Sequence, residues 1–116
     1  MNKTPKRVSH LTVGHFYATH AEKLGLRLEG SSRGLNRLIR EPTINRPGLA
    51  LAGFYSYFAV KRIQVFGSAE MGYLKSLSPV TLKERVRVML ARKMPCIVVA
   101  RNLPIPTALL DAASEF

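Results

Sequence analysis

The sequence has one cysteine, one aspartate, no Gly-Lys pair and no long apolar run, and each scarcity removes a class of function. A single Cys96 cannot form an internal disulfide. Its place in the run Pro95-Cys96-Ile97-Val98-Val99-Ala100 makes it a small core hydrophobe rather than a nucleophile. A reducing compartment follows. Phosphoryl transfer on a P-loop scaffold needs G-x-x-x-x-G-K-[ST] and carboxylates for magnesium, because catalysis there is positioning and charge neutralisation. Neither is present, since Asp111 has only Glu115 near it. His10, His15 and His20 recur every five residues, which on a helix turns each about 140° from the last, so they do not share a face as metal ligands would. No apolar run approaches the ~20 residues that span a membrane, and no apolar stretch follows the basic N-terminus as in a signal peptide. The expected address is cytoplasmic, with no membrane partner.

What the sequence has in excess is positive charge. Its 18 Lys and Arg against 7 Asp and Glu give +11, a balance that suits nucleic acid, acidic lipid or an acidic partner. The cations are spread rather than striped. Lys3, Lys6 and Arg7 fall in residues 1–10, read as a flexible basic tail. Arg33, Arg37, Arg40 and Arg46 flank turns and a strand, and Arg85, Arg87, Arg92 and Lys93 decorate one helix. Nucleic acid is therefore not the favoured partner. At 116 residues and 47% hydrophobic, the chain can build one core, assigned to residues 11–116.

Within that span Thr12 caps a first helix carrying Val13, Phe16, Tyr17, His20 and Leu24 at helical spacing, stopped by Gly25 and expected to lie on a sheet. Leu26-Arg27-Leu28-Glu29 alternates like a half-buried strand, and a turn at 30–34 leads to a second strand around Leu38 and Ile39. Pro47 starts a short helix through Ala52, and Gly53 supplies a left-handed exit, making a rigid connector. Phe54, Tyr55, Tyr57 and Phe58 follow and are expected to form one wall of the core. Arg62 to Phe66 reads as a strand, Ser68 as the cap of a helix, Ser78-Pro79 as the start of the longest helix, the Cys96 run as a central strand, and Pro106 to Ala113 as a last helix. The alternation predicts an α/β fold, a small mixed sheet flanked by helices.

Several of these stretches together carry a resemblance. GLNRLI (34–39), RPGLALAGF (46–54), KRIQVFG (61–67), AEMGYL (69–74), PCIVVAR (95–101) and PIPTALLDAA (104–113) occur in the order found in the N-terminal domain of HPr kinase/phosphorylase, which the chain resembles from about Leu11 to Ala113. It departs from that family's pattern at Ala50, where an acid is common, at Ser56 and Ala59 for Asp and Pro, and at Asn102 for Gly. Asn tolerates the left-handed backbone a glycine would supply, so the last change keeps the chain's path.

The resemblance implies a bacterial regulator of the sugar phosphotransferase system and of carbon catabolite control. Such a protein phosphorylates a serine of the phosphocarrier HPr with ATP or pyrophosphate and also removes that phosphate. It places the chemistry, and with it ATP, magnesium and the contact with HPr, in a separate P-loop kinase domain, so no catalytic residue or cofactor is carried to any position here. It also implies a homohexamer and a fold similar to the UDP-sugar-binding domain of the Mur ligases. Three readings follow: a non-catalytic assembly or regulatory domain, a sensor of a phosphorylated or UDP-sugar-like metabolite, and a nucleic-acid module supported by charge alone. The candidate ligand or interface contacts are Arg46, Arg62, Gln64 and Arg101, arginine being suited to phosphate and carboxylate. The plain alternative is that the arginines are solvated or paired with Glu41 and Glu70.

Overall fold

A computed structural model describes residues 11–30 and 32–116; the expected tail and His10 lie outside the described residues. The first helix forms as its capping pattern demands. The Thr12 hydroxyl accepts a hydrogen bond from the His15 amide at the head of α1 (Val13–Leu24), and Gly25, at φ 70°, turns left-handed to end it. A glycine is needed there because a Cβ strains at positive φ. β1 (Ile44–Asn45) leads through Pro47 into α2 (Gly48–Leu51), a single turn left by Gly53 at φ 102°. β2 (Ile63–Phe66) and α3 (Ser68–Lys75) follow, with Gly67 rather than Ser68 at the helix cap. The Ser78 hydroxyl caps α4 (Pro79–Leu90), with Pro79 in the first turn, where its missing amide hydrogen costs nothing. β3 (Ile97–Val99) and α5 (Thr107–Glu115) complete the order.

The three strands form one sheet in the order β1-β2-β3, and every pairing is parallel: Ile44 opposite Ile63, Gln64 opposite Ile97, Phe66 opposite Val99. The expected mixed sheet is thus corrected to a parallel one. Leu26 to Glu29 joins no strand, and Leu38 makes only an isolated antiparallel bridge to Thr12. Alternation alone does not make a strand without a neighbour at the right distance. Instead the Leu28 amide donates to the Tyr17 hydroxyl at 3.1 Å. The Cys96 run is likewise an edge strand with half-buried residues, and the central position falls to β2, where Ile63, Gln64 and Phe66 are buried.

Side chains alternate across this sheet and serve two unequal cores. Phe66, Ile97 and Val99 face the larger, with Leu51, Met71, Leu74, Val86, Met89, Leu90 and Leu109 from α2 to α5. Ile63, Val65 and Val98 face the smaller, where Val13 and Phe16 of α1 meet Ile39. The expected placement of α1 on the sheet therefore holds at its N-terminal end. At its other end Leu24 is 58% exposed.

The aromatic cluster departs most from expectation. Tyr55 and Phe58 pack against the larger core with their rings edge to face, 5.6 Å apart. Phe54 and Tyr57 do not: they are 51% and 98% exposed, and Leu49 just before them is 70% exposed. For Tyr57 the reason is the turn. The Phe58 amide donates to the Tyr55 carbonyl, which places Tyr57 third in a four-residue turn at φ 68°, its ring aimed away from the core. That position normally holds glycine or asparagine. A left-handed backbone costs another residue about 1–2 kcal/mol.

Candidate functional site

Parallel strands run their carboxyl ends to one edge of the sheet, the edge outside which α/β folds bind ligands. Arg46 lies just past β1 on that edge and Arg101 just past β3, two strands away, about 10 Å across the sheet. Arg62 precedes β2 and so lies at the opposite edge. The four candidate residues do not converge on one point.

Arg46 is engaged by Glu70. Its Nε and Nη2 donate to the two carboxylate oxygens at 3.2 and 2.8 Å, the two-pronged geometry that suits guanidinium to carboxylate. The same carboxylate accepts from the Gly67 amide at 2.8 Å and so caps α3. Burial pushes the Glu70 carboxyl up, but hydrogen bonds from Arg46 and Gly67 and the Arg46 charge outweigh it and hold the group below the usual carboxylate range. Glycine at 67 makes the approach fit: a Cβ there would stand 2.5 Å from Arg46 Nη2.

Arg62 donates to Glu41 at 2.7 Å in a half-exposed pair. Gln64 is fully buried, and its amide is used within the fold. It donates to the carbonyls of Ala59 and Arg62, each at 2.9 Å, and accepts from Asn45 at 2.8 Å, tying β1 to β2. The expected pairing of Arg46 and Arg62 with Glu70 and Glu41 is therefore what the structure contains.

Arg101 differs. It pairs with no carboxylate among the described residues, it is exposed, and it and Asn102 adopt left-handed backbones at φ 61° and 54°. The tolerance expected of Asn102 is used; the same conformation at Arg101 was not foreseen. Arg101 is one of the residues lining a groove of about 460 Å³ between α1 and β3, with Phe16, Tyr17, Arg27, Glu29 and Val98. That volume falls within the range of small-molecule sites.

Two other contacts escaped sequence reasoning. Arg85 of α4 donates to the Leu51 carbonyl at 3.2 Å and to the Tyr73 hydroxyl at 2.6 Å, closing the end of α2 against α3. The Arg92 guanidinium stacks 3.8 Å above the Tyr55 ring. Neither partner is within one helical turn in sequence, so no spacing announces it. The Gly67-x-x-Glu70 cap does have a spacing signal, a small residue followed three later by Glu.

Cys96 is half-buried under α1, and burial pushes its thiol up to about 11 against the opposing pull of the Arg37 charge. At pH 8 iodoacetamide should therefore modify the folded chain on the order of a hundredfold more slowly than the denatured chain, whose thiol titrates near ~8.5. Mass spectrometry of timed aliquots measures both rates; equal rates would mean that the thiol is freely solvated.

The geometry defines a class: a small α/β domain with a three-stranded parallel sheet whose carboxyl edge carries arginines. The family described as HPr Serine kinase N terminus matches residues 11–116, and the chain belongs to that family. It is 39% identical over 115 residues to an HPr kinase/phosphorylase of Brevibacillus brevis, covering 99% of this chain and 33% of that one. It is 43% identical over 79 residues to that of Alkaliphilus metalliredigens, 68% of this chain and 26% of the relative. With the protein of the same name from Listeria monocytogenes it shares 38% over 94 residues, 81% and 30%. The chain thus spans about a third or less of the length of these relatives. No helix among the described residues is long and apolar enough to cross a membrane.

Proposed function

We propose that these residues serve as a non-catalytic assembly or regulatory domain of a kinase that phosphorylates a serine of HPr. One observation supports this most directly: the acid that is best buried, Glu70, is engaged on three sides in holding β1, β2 and α3 together. Glu41 and Glu115 are likewise paired, with Arg62 and Arg87. A carboxylate held below its ordinary pKa by an arginine and an amide is a poor general base. On this reading ATP, magnesium and HPr are handled by a P-loop domain of the parent protein, in the cytoplasm, and the parent acts as a homo-oligomer. Incubating the 116-residue chain with ATP, magnesium and HPr should leave HPr unmodified. Phosphoserine above a no-protein control would overturn the proposal.

The groove at Arg101 supports a second reading, a sensor of a phosphorylated metabolite. An unpaired arginine at the carboxyl end of a parallel strand beside a cavity of this size suits a phosphate head with a less polar body. It ranks second because no other candidate residue reaches that groove.

A further inference from the structure

The connector after β1 exposes what a folded chain normally hides. Leu49, Phe54 and Tyr57 are 70%, 51% and 98% exposed within nine positions, and the Phe54 amide donates to the Leu49 carbonyl at 2.9 Å, which brings the backbones of the first two together. Tyr57 carries a second burden, the left-handed backbone that glycine would adopt without strain. A strained turn that aims an aromatic ring into water gains nothing for the fold itself, and strain of this kind is retained where a site uses it. Tyrosine, phenylalanine and leucine left exposed within one short connector are the material of an interface centre.

The charge around them selects the occupant. Arg92 lies over Tyr55 in the same connector, Arg85 donates to the Leu51 carbonyl at 3.2 Å, and Lys61 is exposed just beyond, while Glu41 and Glu70 are paired with Arg62 and Arg46. The whole chain is at +11, so a second copy approaching through this face meets like charge. We propose that Leu49, Phe54 and Tyr57 form a docking surface for a protein segment that presents apolar side chains among carboxylates. This rests on the assembly or regulatory reading and names one of its contact surfaces.

The test uses the 116-residue chain and a labelled synthetic peptide alternating glutamate with leucine and phenylalanine. Two control peptides replace the apolar residues by serine or the glutamates by lysine. Fluorescence anisotropy should show binding of the first peptide alone, weakened about tenfold or more by Tyr57→Gly and by Leu49→Ser. Tyr57→Gly should melt no lower than the parent, because glycine accepts the turn, so its loss of binding is not a loss of fold. Equal binding of the glutamate-serine peptide, or unchanged binding by Tyr57→Gly, would overturn the proposal. Binding to phosphatidylglycerol vesicles that Tyr57→Gly abolishes, with no peptide binding, would overturn it in favour of a membrane. Self-association that the same substitution abolishes, again without peptide binding, would overturn the partner and leave the assembly reading standing. Phosphoserine formation alongside tight peptide binding would instead sink the non-catalytic reading and leave the docking surface.

Discussion

Phe66→Ala should leave most of the chain unfolded at room temperature or lower its melting temperature by at least about 12 °C. Phe66 ends the central strand and is fully buried among side chains of α2 to α5. Truncating such a ring costs about 3–5 kcal/mol, because the cavity it leaves lies between a sheet and helices that cannot collapse together. A domain of this size is held by only about 5–15 kcal/mol. Phe58→Ala should cost clearly less, since Phe58 is half-buried at the margin of the same core. Thermal melts followed by far-ultraviolet circular dichroism compare the two. If Phe58→Ala proves the more damaging, the larger core is centred on the connector and not on β2.

Glu70→Ala should be the most damaging polar substitution. It leaves the buried Gly67 amide without an acceptor, a loss of about 1–3 kcal/mol, and releases the Arg46 guanidinium from α3. The Arg46 side chain is 51% exposed and can rehydrate, so Arg46→Ala should lower stability less than Glu70→Ala. The Glu70 contribution also depends on pH. Because the carboxyl is held below its usual range in the folded chain, its stabilisation is complete above the unfolded value, about 4.3, and is lost as pH falls through the folded one. Urea unfolding of the parent and of Glu70→Gln should therefore differ most near neutral pH, and the difference should shrink progressively as the pH falls below the unfolded value, about 4.3. A gap that does not change with pH would show that the ionisation of Glu70 is not what stabilises the fold.

The elements that can be read from local chemistry were legible. Thr12, Gly25, Ser78-Pro79 and Gly53 mark their helix ends in the structure as they do in the sequence, because a cap needs only a hydroxyl, a proline or a glycine at one position. Leu82, Val86, Met89 and Leu90, spaced i, i+4, i+7 and i+8, likewise form the inward face of α4, with Leu82 half-buried and the other three buried. What failed depended on neighbours far along the chain. Leu26 to Glu29 has the pattern of a strand but no paired strand, and the strand expected at the centre of the sheet lies at its edge. The aromatic cluster departs from expectation too: four rings in five residues signal apolar area, but composition does not announce the positive φ at Tyr57 that turns its ring outward. At the site, the sequence offers Glu41 and Glu70 as partners for the arginines but does not assign the pairs, and Gln64, a candidate contact, is instead occupied by Asn45, Ala59 and Arg62.

The short edges of the sheet bear on whether another chain can add a strand to it. β1 is two residues long and stands between Pro42 and Pro47; β3 is three residues long and stands between Pro95 and Pro104. A proline offers no amide hydrogen, and a strand of two or three residues gives a foreign chain too few rungs to zip onto. Ile-Val-Val at an open edge would otherwise be a template for amyloid-like growth. With backbone addition blocked at both edges, association of this domain is left to side chains, where charge can choose the partner.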